Sequence, residues 1–253
     1  MMNEKAIEAQ ELSRDYSGLR ALDGVSFTVD SGEIFGFLGP NGAGKTTTIR
    51  ILTGQLSPTA GTARVMGYDV VSERRLLKPI IGVVFEYQNL YQGLSARDNL
   101  NFMANLYGVS KIRVEEVLEQ VGLKDRAGDR LKKYSNGMKQ RLLIARAILH
   151  QPSVLFLDEP TRGLDPAMAR SIRRMVTELA SAGMTVFLTT HYMEEADQLC
   201  SRVAILDRGR IVALNTPDHL KETYRQSGTG ENMSPPTLED VFISLTGRSL
   251  ETA

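Results

Sequence analysis

The stretch Gly39-Pro40-Asn41-Gly42-Ala43-Gly44-Lys45-Thr46 constrains this chain more than any other. It matches G-x-x-x-x-G-K-[S/T], a loop whose glycines let the backbone curl until successive N–H groups face an anion. It follows the apolar run Ile34-Phe35-Gly36-Phe37-Leu38 and precedes a helix-forming stretch over residues 45–53. A strand feeding such a loop and then a helix suits a phosphate, because the helix adds the positive end of its dipole. Lys45 then reaches the β- and γ-phosphates of a nucleotide, the Thr46 hydroxyl binds Mg2+, and Thr47 completes the nucleotide-binding set in the same turn. Taken by itself, the alternative is a glycine-rich turn with no ligand.

A second constellation is Val154-Leu155-Phe156-Leu157-Asp158-Glu159. Four consecutive apolar residues suit a strand buried on both faces of a parallel sheet. Carboxylates at the C-terminal end of such a strand project into the crevice where these sheets bind ligands. Asp158 is placed to hold Mg2+, directly or through water, and Glu159 to polarise a water attacking the γ-phosphorus. Alone, the two acids would as readily cap the turn before Pro160; beside a phosphate loop the catalytic reading leads.

Around these anchors strands and helices alternate. Residues 25–29, 62–66 and 80–85 read as strands. Between about Ser95 and His150 the pattern turns helical. Ser95 with Asp98 opens a helix reaching about Tyr107, and Val114, Val117, Leu118 and Val121 form an amphipathic stripe that Gly122 ends. Alternation then resumes with a helix over 166–182, capped by Asp165 and closed by Gly183, and a strand over 185–190. Residues 203–206 and 211–214 flank Asp207-Arg208-Gly209-Arg210 as a hairpin. Residues 227–236, rich in Gly, Ser and Pro, read as a flexible linker. Thr237 with Asp240 caps a last short helix that stops at Gly247.

The chain has 253 residues, 42% of them hydrophobic, and 30 basic residues balance 30 acidic ones. It is long enough for a full core and lacks the basic excess a nucleic-acid binder uses. No apolar run approaches the roughly 18 residues that cross a bilayer. The start Met1-Met2-Asn3-Glu4-Lys5 carries no apolar leader. The single cysteine, Cys200, has no internal disulfide partner, and we read it as a packing residue on a short helix beside Leu199. A cytoplasmic chain is expected.

Tyr134-Ser135-Asn136-Gly137-Met138-Lys139-Gln140-Arg141 precedes an apolar helix over 142–149. This stretch resembles the signature motif of ABC ATPases, usually Leu-Ser-Gly-Gly-Gln. Ser135 and Gly137 match, whereas Tyr134, Asn136 and Met138 depart from the common form. Physically it is a helix N-terminus with a small hydroxyl residue and no lysine cradle. In the family this motif touches the γ-phosphate bound by the other protomer, so the resemblance implies a head-to-tail dimer. Asn136 puts a side chain where the common motif has none. Gly163-Leu164-Asp165-Pro166 resembles the D-loop that contacts the facing subunit. His191, at the end of the strand 185–190, resembles the switch histidine that senses the γ-phosphate. Tyr16, twenty-nine residues before Lys45, resembles the aromatic that stacks on adenine, with a core tyrosine as the alternative. After Ile81-Gly82-Val83-Val84-Phe85 the family usually carries a glutamine between Mg2+ and the membrane subunit. Here Glu86 takes that place as a metal ligand, unless the loop shifts so that Gln88 does.

The resemblance runs from about Ile7 to Gly247. It implies an α/β P-loop NTPase with a mostly parallel RecA-like core sheet, an N-terminal antiparallel β-subdomain and an inserted helical subdomain at about 90–150. The ATPase domain is expected at 5–226, the linker at 227–236 and a helical tail at 237–253. The implied function is hydrolysis of ATP with Mg2+ by a subunit that pairs with a second protomer, as a homo- or heterodimer. Separate membrane-spanning transporter subunits would couple to it at the inner face of the cell membrane, and no nucleic acid is involved. The tail Pro236-Thr237-Leu238-Glu239-Asp240-Val241-Phe242, with Leu245-Thr246-Gly247, is similar to the end of ABC-2-type export ATPases, which points to export. Lys45 and Ser135 are ninety residues apart, too close for the coiled coil of DNA-repair members. A soluble ABC ATPase with an assembly role is one alternative. A small-molecule P-loop kinase is another, but it accounts for the loop and not for Ser135 or His191.

Overall fold

The computed structural model describes residues 4–86, 89–226 and 235–247. Strands β1 (Lys5–Tyr16) and β2 (Leu19–Asp30) form an antiparallel pair. Strand β3 (Ile34–Leu38) runs through the glycine loop into helix α1 (Lys45–Leu52). Strands β4 (Ala60–Val65) and β5 (Tyr68–Asp69) then extend the first sheet to the order β2-β1-β4-β5. Helix α2 (Arg74–Leu77) leads to β6 (Ile81–Val84), and α3 (Ala96–Tyr107), α4 (Lys111–Gln120) and α5 (Asn136–Ile148) follow as the helical insertion. The last part alternates: β7 (Val154–Asp158), α6 (Pro166–Ser181), β8 (Thr185–Thr190), α7 (Met193–Leu199), β9 (Arg202–Asp207), β10 (Arg210–Asn215), α8 (Pro217–Gln226) and α9 (Leu238–Thr246). The second sheet has the order β10-β9-β3-β8-β7-β6, parallel throughout except for the β9–β10 hairpin. This is the α/β arrangement expected from the sequence, an antiparallel N-terminal sheet beside a mostly parallel core.

Period-two alternation divides the core. Ile34 and Leu38 of β3, Leu155 and Leu157 of β7, and Val186 and Leu188 of β8 face one hydrophobic cluster with the helices. Their neighbours Phe35, Phe37, Val154, Phe156 and Phe187 face the other, with α1 and the antiparallel sheet. There Phe27, Phe35, Phe37 and Phe187 pack with ring centroids 5.4–5.8 Å apart. Every other side chain along a strand points the same way, so the parity that buries Phe156 also turns Asp158 toward α1. The inserted helices have no separate core: Leu100, Val114, Val117 and Leu118 join the cluster of Leu155 and Leu157. Leu238, Val241 and Phe242 of α9 enter that same cluster.

Local stops follow residue chemistry. Ser95 accepts from the Asp98 N–H and Asp165 from the Ala167 and Met168 N–H groups, each supplying an acceptor for open first-turn donors. Thr237 and Asp240 complete a reciprocal capping box. The β9–β10 turn places Arg208 at φ 47° and Gly209 at φ 78°, the two positive angles of the hairpin turn that matches strand twist.

Some elements differ from the sequence reading. The residue pattern does not mark strand β1, because irregular pairing breaks its alternation: register shifts separate Ala9 from Leu12, and Glu11 sits between them at φ 49°. Nor does the pattern mark helix α8. Cys200 is not helical but caps α7 in extended backbone. It packs as expected, since a Cβ on Gly36 would stand 2.7 Å from its Sγ. The expected linker at 227–236 lies, over 227–234, outside the described residues, as do Gln88 and residues 248–253.

His150 ties the insertion to the sheet. Its ring stacks on Tyr107 at 4.1 Å, and its Nε2 is 2.9 Å from the Ile81 carbonyl oxygen. Burial pushes its pKa below the ordinary histidine value, and the carbonyl bond only partly offsets this. A depressed pKa means that this stability is present above the ordinary value and lost as pH falls through the lower one. Unfolding free energy should therefore fall from about pH 7 to about pH 5.5 more steeply in the native protein than in His150→Gln. Equal slopes in urea titrations of the two proteins would contradict the buried neutral state.

Candidate active site

Between β3 and α1 the loop passes, at Gly39 and Gly44, where only glycine fits. A Cβ on Gly39 would stand 2.3 Å from the Leu206 carbonyl oxygen. One on Gly44, at φ 110°, would stand 2.6 Å from the Ala21 carbonyl oxygen. No side chain caps α1, so its first-turn amides point out of the loop toward any anion there. Lys45 is buried at 6% exposure, yet its Nζ donates to Gly39 O at 2.6 Å and Pro40 O at 3.1 Å. The same Nζ is 3.1 Å from Glu159 Oε1.

The two carboxylates leave β7 in different directions. Asp158 accepts from Thr46 Oγ1 at 2.9 Å and from Thr189 Oγ1 at 2.6 Å. Glu159 turns off the strand at φ 52°, a left-handed angle for a side chain with a Cβ. Its N–H, donating to Thr189 O at 3.0 Å, holds it there. Glu159 Oε2 accepts from His191 Nδ1 at 2.7 Å and from the His191 N–H at 3.3 Å. Burial pushes the Glu159 carboxyl up, but the His191 hydrogen bond and the Lys45 charge outweigh it, leaving the pKa below the ordinary carboxylate value. Glu159 is therefore ionised at neutral pH, and against an ionised carboxylate Nδ1 carries the proton. Lys45 aims its hydrogen bonds at the loop carbonyls, so Glu159 Oε1 receives charge but no directed bond.

The loop residues Pro40, Asn41, Gly42, Gly44, Lys45, Thr46 and Thr47 line one cleft with Tyr16, Glu86 and Glu159. Ala43 is buried behind the loop, its N–H donating to Pro40 O at 3.2 Å. One face of the Tyr16 ring carries the Arg14 guanidinium, 4.7 Å from the centroid. Glu86 pairs with Arg162 and also lines an adjoining cavity with Thr46 and Asp158. The described residues contain no group of three or more His, Cys, Asp or Glu that could hold a metal ion by themselves. The Thr46 hydroxyl and the Asp158 carboxylate are hard oxygen donors, however. Such a sparse pair fits Mg2+, which keeps waters and borrows phosphate oxygens.

Ser135, Gly137 and Asp165 do not line this cleft. Ser135 caps α5 by accepting from the Met138 N–H at 3.2 Å. A Cβ on Gly137 would stand 2.4 Å from Met168 Sδ, so this glycine lets α5 press against the start of α6, which Asp165 caps. Asn136 is exposed. Tyr134 fills the place of the usual leucine, with its ring buried and its hydroxyl donating to Arg126 O at 2.8 Å. Thr189, bonded to Asp158, and Arg162, paired with Glu86, are functional residues that no sequence motif marks. A buried threonine after Val186-Phe187-Leu188 was the available signal for Thr189, and Arg162 gave none.

Comparison with known proteins places these features in a family. Residues 22–162 match the family described as ABC transporter. The chain is 44% identical over 240 residues to the daunorubicin/doxorubicin resistance ATP-binding protein DrrA of Streptomyces peucetius, covering 93% of this chain and 71% of that protein. It is 47% identical over 267 residues to the fluoroquinolones export ATP-binding protein of Mycobacterium tuberculosis, covering 91% and 89%. Among solved structures, an ATP-binding subunit of an ABC transporter superposes with TM-score 0.82 at 30% identity, covering 95% of this chain and 99% of that one. A dimeric ATP-binding cassette in a post-hydrolysis state with ADP and phosphate superposes with TM-score 0.75 at 25% identity, covering 83% and 98%.

Replacing Thr189 with valine keeps the shape of the strand end but leaves buried Asp158 Oδ1 without its hydroxyl. Stability should fall by about 1–3 kcal/mol, read from the urea midpoint at unchanged slope. An unmoved midpoint would contradict the Thr189–Asp158 bond.

Proposed function

The chain belongs to the ABC transporter family of ATP-binding proteins, and we propose that it drives export through separate membrane-spanning subunits as a head-to-tail dimer. The observation that carries the ATP-hydrolysing part of this reading is the chain Lys45–Glu159–His191, in which one buried carboxylate stands 3.1 Å from the loop lysine and 2.7 Å from the imidazole. Lys45 turns its ammonium from Gly39 O and Pro40 O to the β- and γ-phosphate oxygens of ATP. That move withdraws positive charge from Glu159, whose proton affinity then rises as the attack on the γ-phosphorus requires. His191 holds Oε2, which leaves Oε1 to take the proton of the attacking water. Thr46 and Asp158 would hold Mg2+, which when bound neutralises charge on the phosphates. Tyr16 offers adenine the ring face that Arg14 does not cover.

Ser135 and Asp165 are exposed helix caps away from the cleft, as residues would be that serve a site on a facing protomer. The likeness to a dimeric cassette with ADP and phosphate supports the same reading. No helix among the described residues is long and apolar enough to cross a membrane. Family membership supports separate membrane subunits, with this chain at the inner face of the membrane. Relatives named for drug resistance and fluoroquinolone export support an export direction. The zero net charge supports a role without nucleic acid.

Glu159→Gln keeps the side-chain shape and removes the base. It should bind ATP and form a dimer in ATP and Mg2+ that ADP does not sustain. Its turnover should fall by at least about 100-fold. Size-exclusion chromatography with bound-nucleotide analysis checks this, and a variant that holds ATP yet stays monomeric would contradict the two-protomer site.

A further inference from the structure

Glu86 and Arg162 lie on adjacent loops at the mouth of the cleft. Glu86 follows β6 and Arg162 follows β7, two strands that pair in parallel. Arg162 Nη1 donates to Glu86 Oε1. The Arg162 N–H donates to Glu159 O at 3.2 Å, so one tight turn carries both the guanidinium and Glu159. Glu86 lines the phosphate cleft with Lys45 and Thr46, and the adjoining cavity with Thr46 and Asp158. The pair is only partly covered, with side-chain exposures of 43% for Arg162 and 33% for Glu86. Partly solvated ion pairs are weak enough to exchange partners.

A carboxylate in that place meets opposed demands. A polyphosphate repels it and a divalent cation attracts it, and at similar distances the two effects are comparable in size. A glutamine would meet neither. Among the described residues, Arg162 is the cation in contact with Glu86 when no metal is there.

We propose that Arg162 is a positioning residue that neutralises Glu86 until nucleotide and metal arrive, whereupon Glu86 exchanges the guanidinium for the metal ion. This rests on the reading of the cleft as an ATP site. Exchange frees Arg162, which stands three residues before Asp165. A purely structural surface ion pair would leave nucleotide affinity untouched.

The test is the ratio of the ATP dissociation constant in EDTA to that in Mg2+, measured by calorimetry. It is read for the native protein, Glu86→Gln, Arg162→Ala and the double variant. Arg162→Ala should raise the ratio by about 2–5-fold, the range of an exposed ion pair, because the unmasked carboxylate then repels metal-free ATP. Arg162→Lys should bring it back toward the native value. Glu86→Gln should lower the ratio below native, and in that background Arg162→Ala should leave it unchanged. An Arg162→Ala effect of equal size in both backgrounds, or in neither, overturns the exchange while leaving the ATP site intact. Failure of the native protein to bind ATP in either buffer overturns both.

Discussion

Two opposite charges, Lys45 and Glu159, are buried side by side, and the sheet order is what brings them together. Strands β3, β8, β7 and β6 are consecutive neighbours in the sheet. Just beyond their C-terminal ends stand the phosphate loop, His191, Glu159 and Glu86. Parallel strands deliver all these side chains to one edge, where such sheets bind ligands. A buried ion pair is weak support for stability, since desolvation consumes most of the attraction. The carbonyls of Gly39 and Pro40 and the His191 hydrogen bond make this one tolerable. The result is a charge arrangement poised to be rearranged by an anion.

Strain is concentrated at the same point. Glu159 is held at φ 52° while the neighbouring β7 residues are regular strand. A left-handed non-glycine residue costs about 1–3 kcal/mol, and the Thr189 contacts over-determine the position. Turning off the strand there lets two successive acids serve different partners. Asp158 keeps the strand direction and meets Thr46, whereas Glu159 bends toward Lys45 and His191.

Much of this was legible in the sequence where one residue type has one physical use. The glycine loop, the apolar run ending in Asp158-Glu159, the caps at Ser95, Asp165 and Thr237, and the Arg208-Gly209 turn each depend on local chemistry, and local chemistry is what a sequence displays. Strand β1 was not legible, because its pairing irregularities near Glu11 scramble the alternation that marks a half-buried strand. Thr189 looked like one more β-branched strand residue, since its role exists only opposite Asp158 on the next strand. The Glu86–Arg162 pair spans 76 residues of sequence, and nothing near either residue announces the other.

On the function proposed above, the lysine of the loop and the carboxylate of β7 form one hydrolytic centre for ATP. Release of inorganic phosphate from ATP by Lys45→Ala, compared with the native protein in Mg2+, tests it most directly. Loss of the ammonium removes the contact with the β- and γ-phosphates and the cation 3.1 Å from Glu159 Oε1. Phosphate release should fall by about 100-fold or more. A Lys45→Ala protein that releases phosphate near the native rate would contradict it.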